Sequence, residues 1–144
     1  MTTLETVTKE IVELHDFFTE WFNGTANRDQ LEPLFLSRMH KDLMFISPEG
    51  QVMTVDMLKS GFDQGYGSNP EFRIAIRDVD VRCERGDLVL ATYTEWQRGA
   101  ARSASSNNAR VTTVLMELGE PLTWLHVQET WLPEALRRAG PFDF

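Results

Sequence analysis

Apolar side chains open the chain at intervals of three and four: Leu4, Val7, Ile11, Leu14, Phe18, Trp21 and Phe22. That spacing is one face of a helix, and it predicts a long amphipathic helix over residues 3–22. Thr2 with Glu5 supplies a capping box at its start, and Asn23-Gly24 ends it. A second box, Asn27 with Gln30, opens a shorter helix through residue 37, with Pro33 in its first turns and Leu31, Leu34 and Phe35 on its buried side. Residues 42–47 read as a short strand, Pro48-Glu49-Gly50 as its turn and 51–53 as the returning partner. Thr54 caps a third helix over 55–64, ended by Gly65-Tyr66-Gly67. From Glu71 onward the apolar period shortens to that of a strand. It predicts strands over 71–84 and 88–98, joined at Arg85-Gly86-Asp87, and a last hairpin over 110–132 folded at Gly119-Glu120-Pro121. Helices first and long antiparallel strands afterwards make an α+β domain, with the sheet curling over the first helix.

Alternation also says which side chains each strand aims inward. Leu125 and Val127 are apolar where His126 and Gln128 are polar, so Leu125, Val127, Glu129 and Trp131 form the inner set of the last strand. On the strand before it, Val114, Met116 and Leu118 carry Thr112 and Arg110 onto the same side. Folding about the turn sets Val114 beside Val127, Thr112 beside Glu129 and Arg110 beside Trp131. The preceding hairpin sets Glu95 beside Arg110, Tyr93 beside Thr112 and Ala91 beside Val114. The inner surface is apolar near the last turn and polar and aromatic at its far end, which is the pattern of a pocket with a mouth. Tyr93, Glu95, Arg110, Thr112, Glu129 and Trp131 line that mouth, facing Phe17 and Trp21 of the first helix and Phe45 or Ser47 of the short hairpin. Phe18 and Phe22 are expected to pack elsewhere.

The opposite face is unusually apolar for one open to water. Leu88, Leu90, Trp96, Val111, Leu115 and Trp124 all point outward by the same parity, so a second copy of the chain is expected to cover them. The stretch 99–108 is small and polar and reads as a flexible hairpin tip. The tail, 133–144, is too short for a packed helix, with Phe142 and Phe144 either docked or frayed.

Composition narrows the partners. A chain of 144 residues fits one domain over its whole length, and a net charge of −8 with a pI near 4.8 argues against nucleic acid and anionic membrane surfaces. The N-terminus lacks the basic start and apolar core of a secretory signal, which gives a cytoplasmic expectation. Cys83 stands alone, and His15, His40 and His126 recur at no ligand spacing, so neither a metal nor another cofactor is expected. His126 faces away from Leu125 and Val127 by parity.

This order of elements, with ELHDFFTEWFNGTANRDQLEPLF leading in and WLHVQETW closing, resembles the nuclear transport factor 2-like superfamily in its SnoaL-like or ketosteroid-isomerase-like branch. The resemblance covers nearly the whole chain and implies a cystatin-like cone. In it a strongly bent, mostly antiparallel sheet wraps the long N-terminal helix, two further short helices close the structure, and dimers form through the outer sheet face. It also implies where isomerase groups would stand. Laying FNGTANRD and SPEG over the matching segments puts Phe17, Ser47 and Val114 at the positions of the family's tyrosine, base and protonated aspartate. A phenyl ring, an ordinary hydroxyl and an isopropyl group supply neither oxyanion donor nor enolising base, so that activity is rejected.

Two carboxylates flanking one guanidinium remain. As an ordinary cross-strand ion pair they would contribute about 0.2–1 kcal/mol. As a ligand site, Arg110 would take a small organic molecule, a carboxylate-bearing one among the candidates, while Tyr93 and Trp131 cover its apolar part. As a catalytic site, Glu95 or Glu129 would act as general acid or base with Tyr93 orienting the substrate of a SnoaL-like cyclase, dehydratase or isomerase. The expectation is a small-molecule-binding domain, with the enzyme as its alternative. An association module that only dimerises would have the hollow plugged by Trp131 and Trp21.

Overall fold

The computed structural model describes residues 1–144. Helix α1 (Thr3–Asn23) begins at the capping box foreseen for it, with the Thr2 hydroxyl accepting from the Glu5 amide and the Glu5 carboxylate accepting from the Thr2 amide. It ends at Gly24, whose φ of 83° suits a residue without a side chain. Its last carbonyls are met by the loop after the third helix, Gly67 donating to Trp21 and Asn69 to Phe22. The end of α1 is thereby tied down beside the site.

A turn of 3₁₀ helix (Arg28–Gln30), the short α2 (Leu31–Leu34) and another 3₁₀ turn (Leu36–Arg38) replace the single short helix expected there. Strands β1 (Met39–Ile46) and β2 (Val52–Met53) form the small hairpin, and α3 (Val55–Gly65) follows it. The long strands are β3 (Arg73–Arg85), β4 (Leu88–Arg98), β5 (Asn108–Glu117) and β6 (Thr123–Trp131). All six strands make one sheet in the order β2-β1-β6-β5-β4-β3, antiparallel except where β1 runs parallel to β6. The tail is more structured than its length promised. Helix α4 (Glu134–Ala139) forms there, and Phe142 stacks edge-on against Trp96 at 5.5 Å. No helix is long and apolar enough to cross a membrane.

Helix α1 lies in the hollow of this bent sheet. Its Val7, Ile11 and Leu14 pack with Val89 and Ala91 of β4, Val114 and Met116 of β5 and Val127 of β6, all buried. The register foreseen for the hairpins is the one found: Glu95 opposes Arg110, Tyr93 opposes Thr112, Thr112 opposes Glu129 and Arg110 opposes Trp131.

One strand departs from strict alternation. Leu115 pairs with His126 and Met116 with Trp124, leaving Leu125 as an extra residue on β6. The bulge turns Trp124 from the outer face to the core, where it is 2% exposed and donates from Nε1 to Glu10 Oε1 at 3.0 Å. Trp124 is therefore no part of an outer apolar surface. Trp96 does face outward, but the tail and the Arg77 guanidinium cover it. Leu88 and Leu90, 39% and 37% exposed, are what remains open beside the half-buried Val111 and Leu115.

Candidate functional site

Inward alternation on three neighbouring strands builds the polar end of the hollow. Tyr93, Glu95 and Gln97 come from β4, Asn108, Arg110 and Thr112 from β5, and Glu129 and Trp131 from β6. Helix α1 adds His15, which sequence reasoning passed over. Its signal was present, because His15 lies four residues after Ile11 and three before Phe18, within the apolar stripe itself. The imidazole is buried, with Nε2 at 3.1 Å from Glu95 Oε1 and Nδ1 at 2.7 Å from the Ile11 carbonyl.

Both ring nitrogens of His15 thus face acceptors. The Ile11 carbonyl can only accept, so Nδ1 carries a proton, and a second proton sits between Nε2 and Glu95. Burial disfavours charge on both partners. On His15, the attraction and hydrogen bond of Glu95, helped by the Ile11 carbonyl, outweigh that cost and raise its pKa above the ordinary value. On Glu95, burial is overcome by His15, Arg110 and the Gln97 amide, which donates at 2.6 Å, and the pKa falls to about 2. Both shifts favour the imidazolium–carboxylate form of the pair.

Glu129 is less well held. Arg110 Nη1 reaches its Oε1 at 3.2 Å and Thr112 Oγ1 its Oε2 at 3.3 Å, while Arg110 Nη2 is engaged at 2.8 Å by Asn108. Burial and the nearby charge of Glu95 together outweigh Arg110 and lift the Glu129 pKa to about 7. Of the two carboxylates competing for positive partners, Glu129 keeps the proton more readily. Burial, then the two glutamates, raise the Tyr93 phenol well above its ordinary value, so it stays neutral.

These shifts set an expected pH response. Glu129 has a folded pKa near 7 against an ordinary 4.5, so its contribution is complete below pH 4.5 and lost as the pH rises through 7. His15, raised above 6.5, acts in the same sense at higher pH. Glu95, held near 2, contributes above pH 4.5 and loses its effect as the pH falls toward 2. Melting temperature should therefore decline from mildly acidic pH through neutrality, and Glu129→Gln should flatten that decline. Parallel pH profiles for the two proteins would show that Glu129 does not hold this proton.

Beside these groups lies a cavity of about 180 Å³. Its polar side is His15, Tyr93, Glu95, Gln97, Arg110 and Glu129, and its walls are apolar, chiefly Phe18, Phe22, Phe35, Leu43, Phe45 and Phe62. The rings of Phe18, Phe35 and Phe62 pack within 5.0 Å of one another. The hollow is not plugged by tryptophans.

Several expected lining residues stand elsewhere. The face of α1 turned to the cavity carries His15, Phe18 and Phe22, so the expected assignment of Phe17 and Trp21 is reversed. Those two are buried in the core, Trp21 donating from Nε1 to the Phe62 carbonyl of α3 and packing on Tyr66. Phe45 lines the cavity, whereas the Ser47 hydroxyl accepts from the Gln51 amide across the β1–β2 turn. Val114 is core, Thr112 touches Glu129 from beneath, and Trp131 lies farther out, stacked on Arg110 at 4.8 Å. No group of three or more His, Cys, Asp or Glu side chains is placed to hold a metal ion.

No family model matches the chain. It is 26% identical over 131 residues to a protein of Arabidopsis thaliana described as probable sucrose-phosphatase 3a, a match taking in 88% of this chain and 30% of that protein. The chain therefore spans less than a third of that relative's length. Among solved structures, an NTF-2 like protein of unknown function from Pseudomonas aeruginosa superposes with a TM-score of 0.79 and 26% identity, over 89% of this chain and 99% of that one. A Caulobacter vibrioides protein with a cystatin-like fold gives a TM-score of 0.65 at 15% identity, covering 95% and 94% of the two chains. A CaMKII hub from S. rosetta gives 0.69 at 13% identity, covering 92% and 98%. The last two matches speak to the fold alone.

Proposed function

We propose that this chain, whose fold is that of the nuclear transport factor 2-like proteins, is a small-molecule-binding protein whose ligand occupies the hollow of the cone. The fold by itself assigns no activity, since one fold carries many. The observation that carries the reading is the cavity itself, about 180 Å³ with aromatic walls and one polar end. A dry apolar cavity of about 150 Å³ holds a molecule the size of benzene. A single-ring compound with one hydrogen-bonding group fits the space and the chemistry.

Phenol is a direct probe. At ten times its dissociation constant it should add about 1.4 kcal/mol of stability. That corresponds to a rise of about 3–5 °C in melting temperature for a chain of this size. Val127→Phe places a ring in the same space and should abolish the rise while circular dichroism stays native. If phenol leaves the wild-type melting temperature unchanged up to its solubility, the cavity does not bind ligands of this class.

A second reading, acid–base catalysis, is favoured by one observation: Glu129 keeps a proton near neutral pH and borders the cavity. Glu129 is the candidate acid or base and Tyr93 the orienting group, whereas His15 holds Glu95 as a carboxylate. A liganded crystal structure with the Glu129 carboxyl out of hydrogen-bond reach of the bound molecule would rule it out. The proposal also includes self-association of two copies through the Leu88, Leu90 and Leu115 face, supported by the exposure of Leu88 and Leu90.

A further inference from the structure

A second compartment, of about 300 Å³, lies at the mouth of the cone outside the cavity just described. The 99–107 connection, the β1–β2 turn and the segment 68–72 enclose it, and it shares Phe22, Phe72, Gln97 and Arg110 with the inner cavity. These four side chains form the common wall of the two compartments. From this arrangement we infer that the ligand is an amphipathic carboxylic acid, its apolar part in the inner cavity and its carboxylate in the outer compartment on Arg102 and Arg110. The inference rests on the reading of the inner cavity as a ligand site.

Three observations carry it. Arg110 spends Nη1 on Glu129 and Nη2 on Asn108, but its Nε is buried without a partner. A buried donor left bare is costly, and native structures meet such groups with solvent or ligand. Arg38 and Arg98 also leave Nε unpartnered, yet neither borders either compartment. Second, positive charge gathers at the mouth of a chain whose net charge is −8. Arg102 and Arg110 line the outer compartment with Glu49 as its one acidic residue, Arg110 being paired from the inner side with Glu129, and the Trp131 indole carries Arg110 at 4.8 Å and Arg137 at 5.5 Å. Third, the polarity is ordered along the hollow, with aromatic walls inside and Ser68, Asn69, Ser103 and the two guanidinium groups outside. A carboxylate matches a guanidinium edge in both charge and geometry, and a neutral hydroxyl does not.

Calorimetric titration with 4-phenylbutyrate and with its neutral counterpart 4-phenylbutan-1-ol separates the possibilities. A charge-assisted hydrogen bond corresponds to about a tenfold preference for the acid. Arg102 is exposed, so Arg102→Ala keeps the fold. It should weaken the acid several-fold toward the affinity of the alcohol and leave the alcohol unchanged. Equal binding of both probes, or equal binding of the acid by wild type and Arg102→Ala, would overturn the outer carboxylate site while leaving the inner cavity as a ligand site. If neither probe binds, the reading of the inner cavity falls with it.

Discussion

His15→Leu is expected to destabilise the protein by about 3–5 kcal/mol, the usual cost of removing one partner from a buried ion pair. The change leaves Glu95 buried, with only the Gln97 amide and the more distant Arg110 to answer its charge. Leucine keeps the volume but supplies neither the charge nor the hydrogen bonds of the imidazole. For a chain of this length the loss should appear as a fall of roughly 10 °C in melting temperature. Without His15 the Glu95 carboxyl titrates at higher pH, so the deficit should be largest near neutrality and shrink as the solution is acidified. Adding Glu95→Gln to His15→Leu removes the stranded charge, and the double variant should recover part of the loss. A single variant less than about 1 kcal/mol below wild type, the range of an exposed pair, would mean that the two groups are not the buried ion pair described here.

Trp124→Ala should be comparably damaging, about 3–5 kcal/mol, because it empties a tryptophan-sized volume from the core. It also removes the indole donor from Glu10 Oε1, leaving that carboxylate to Arg38 alone. The effect is one of stability and not of assembly, since the side chain points away from the outer face. Light scattering should report the same molar mass for Trp124→Ala as for wild type at a temperature where both are folded. Leu90→Arg gives the opposite result. A charge on a 37% exposed outer position should halve the mass of the proposed dimer while changing stability by about 0.5 kcal/mol or less. A monomeric wild type would remove the outer face as a pairing surface.

The two tryptophans of β6 show how far parity carries. Trp131 and its partner Arg110 were legible because the ladder from Thr112 to Trp131 runs without interruption. Trp124 was not, because one extra residue, Leu125, reverses every side chain before it, and nothing in the alternation of LTWLHV marks where the ladder gives way. A helix hides a different quantity. The apolar stripe of α1 was plain, but its breadth admitted both Phe17 with Trp21 and Phe18 with Phe22 as cavity walls. The turn of α1 about its own axis was decided by packing against α3, where Trp21 meets the Phe62 carbonyl.

What the sequence alone determined was local: where the helices start and stop, the period of each segment, the registers of the hairpins, and hence a guanidinium between two carboxylates. These follow from capping, turn length and alternation, which act over a few residues. Tertiary structure decided which of those carboxylates gives up its proton more readily. Glu95 and Glu129 are alike in sequence, each on an inward strand position beside Arg110 or Thr112. Only the packing of α1 into the sheet gives His15 to Glu95 and leaves Glu129 to hold its proton to higher pH. The energy of a buried carboxyl is set by the groups brought within a few ångströms of it, and chain distance carries no record of that proximity.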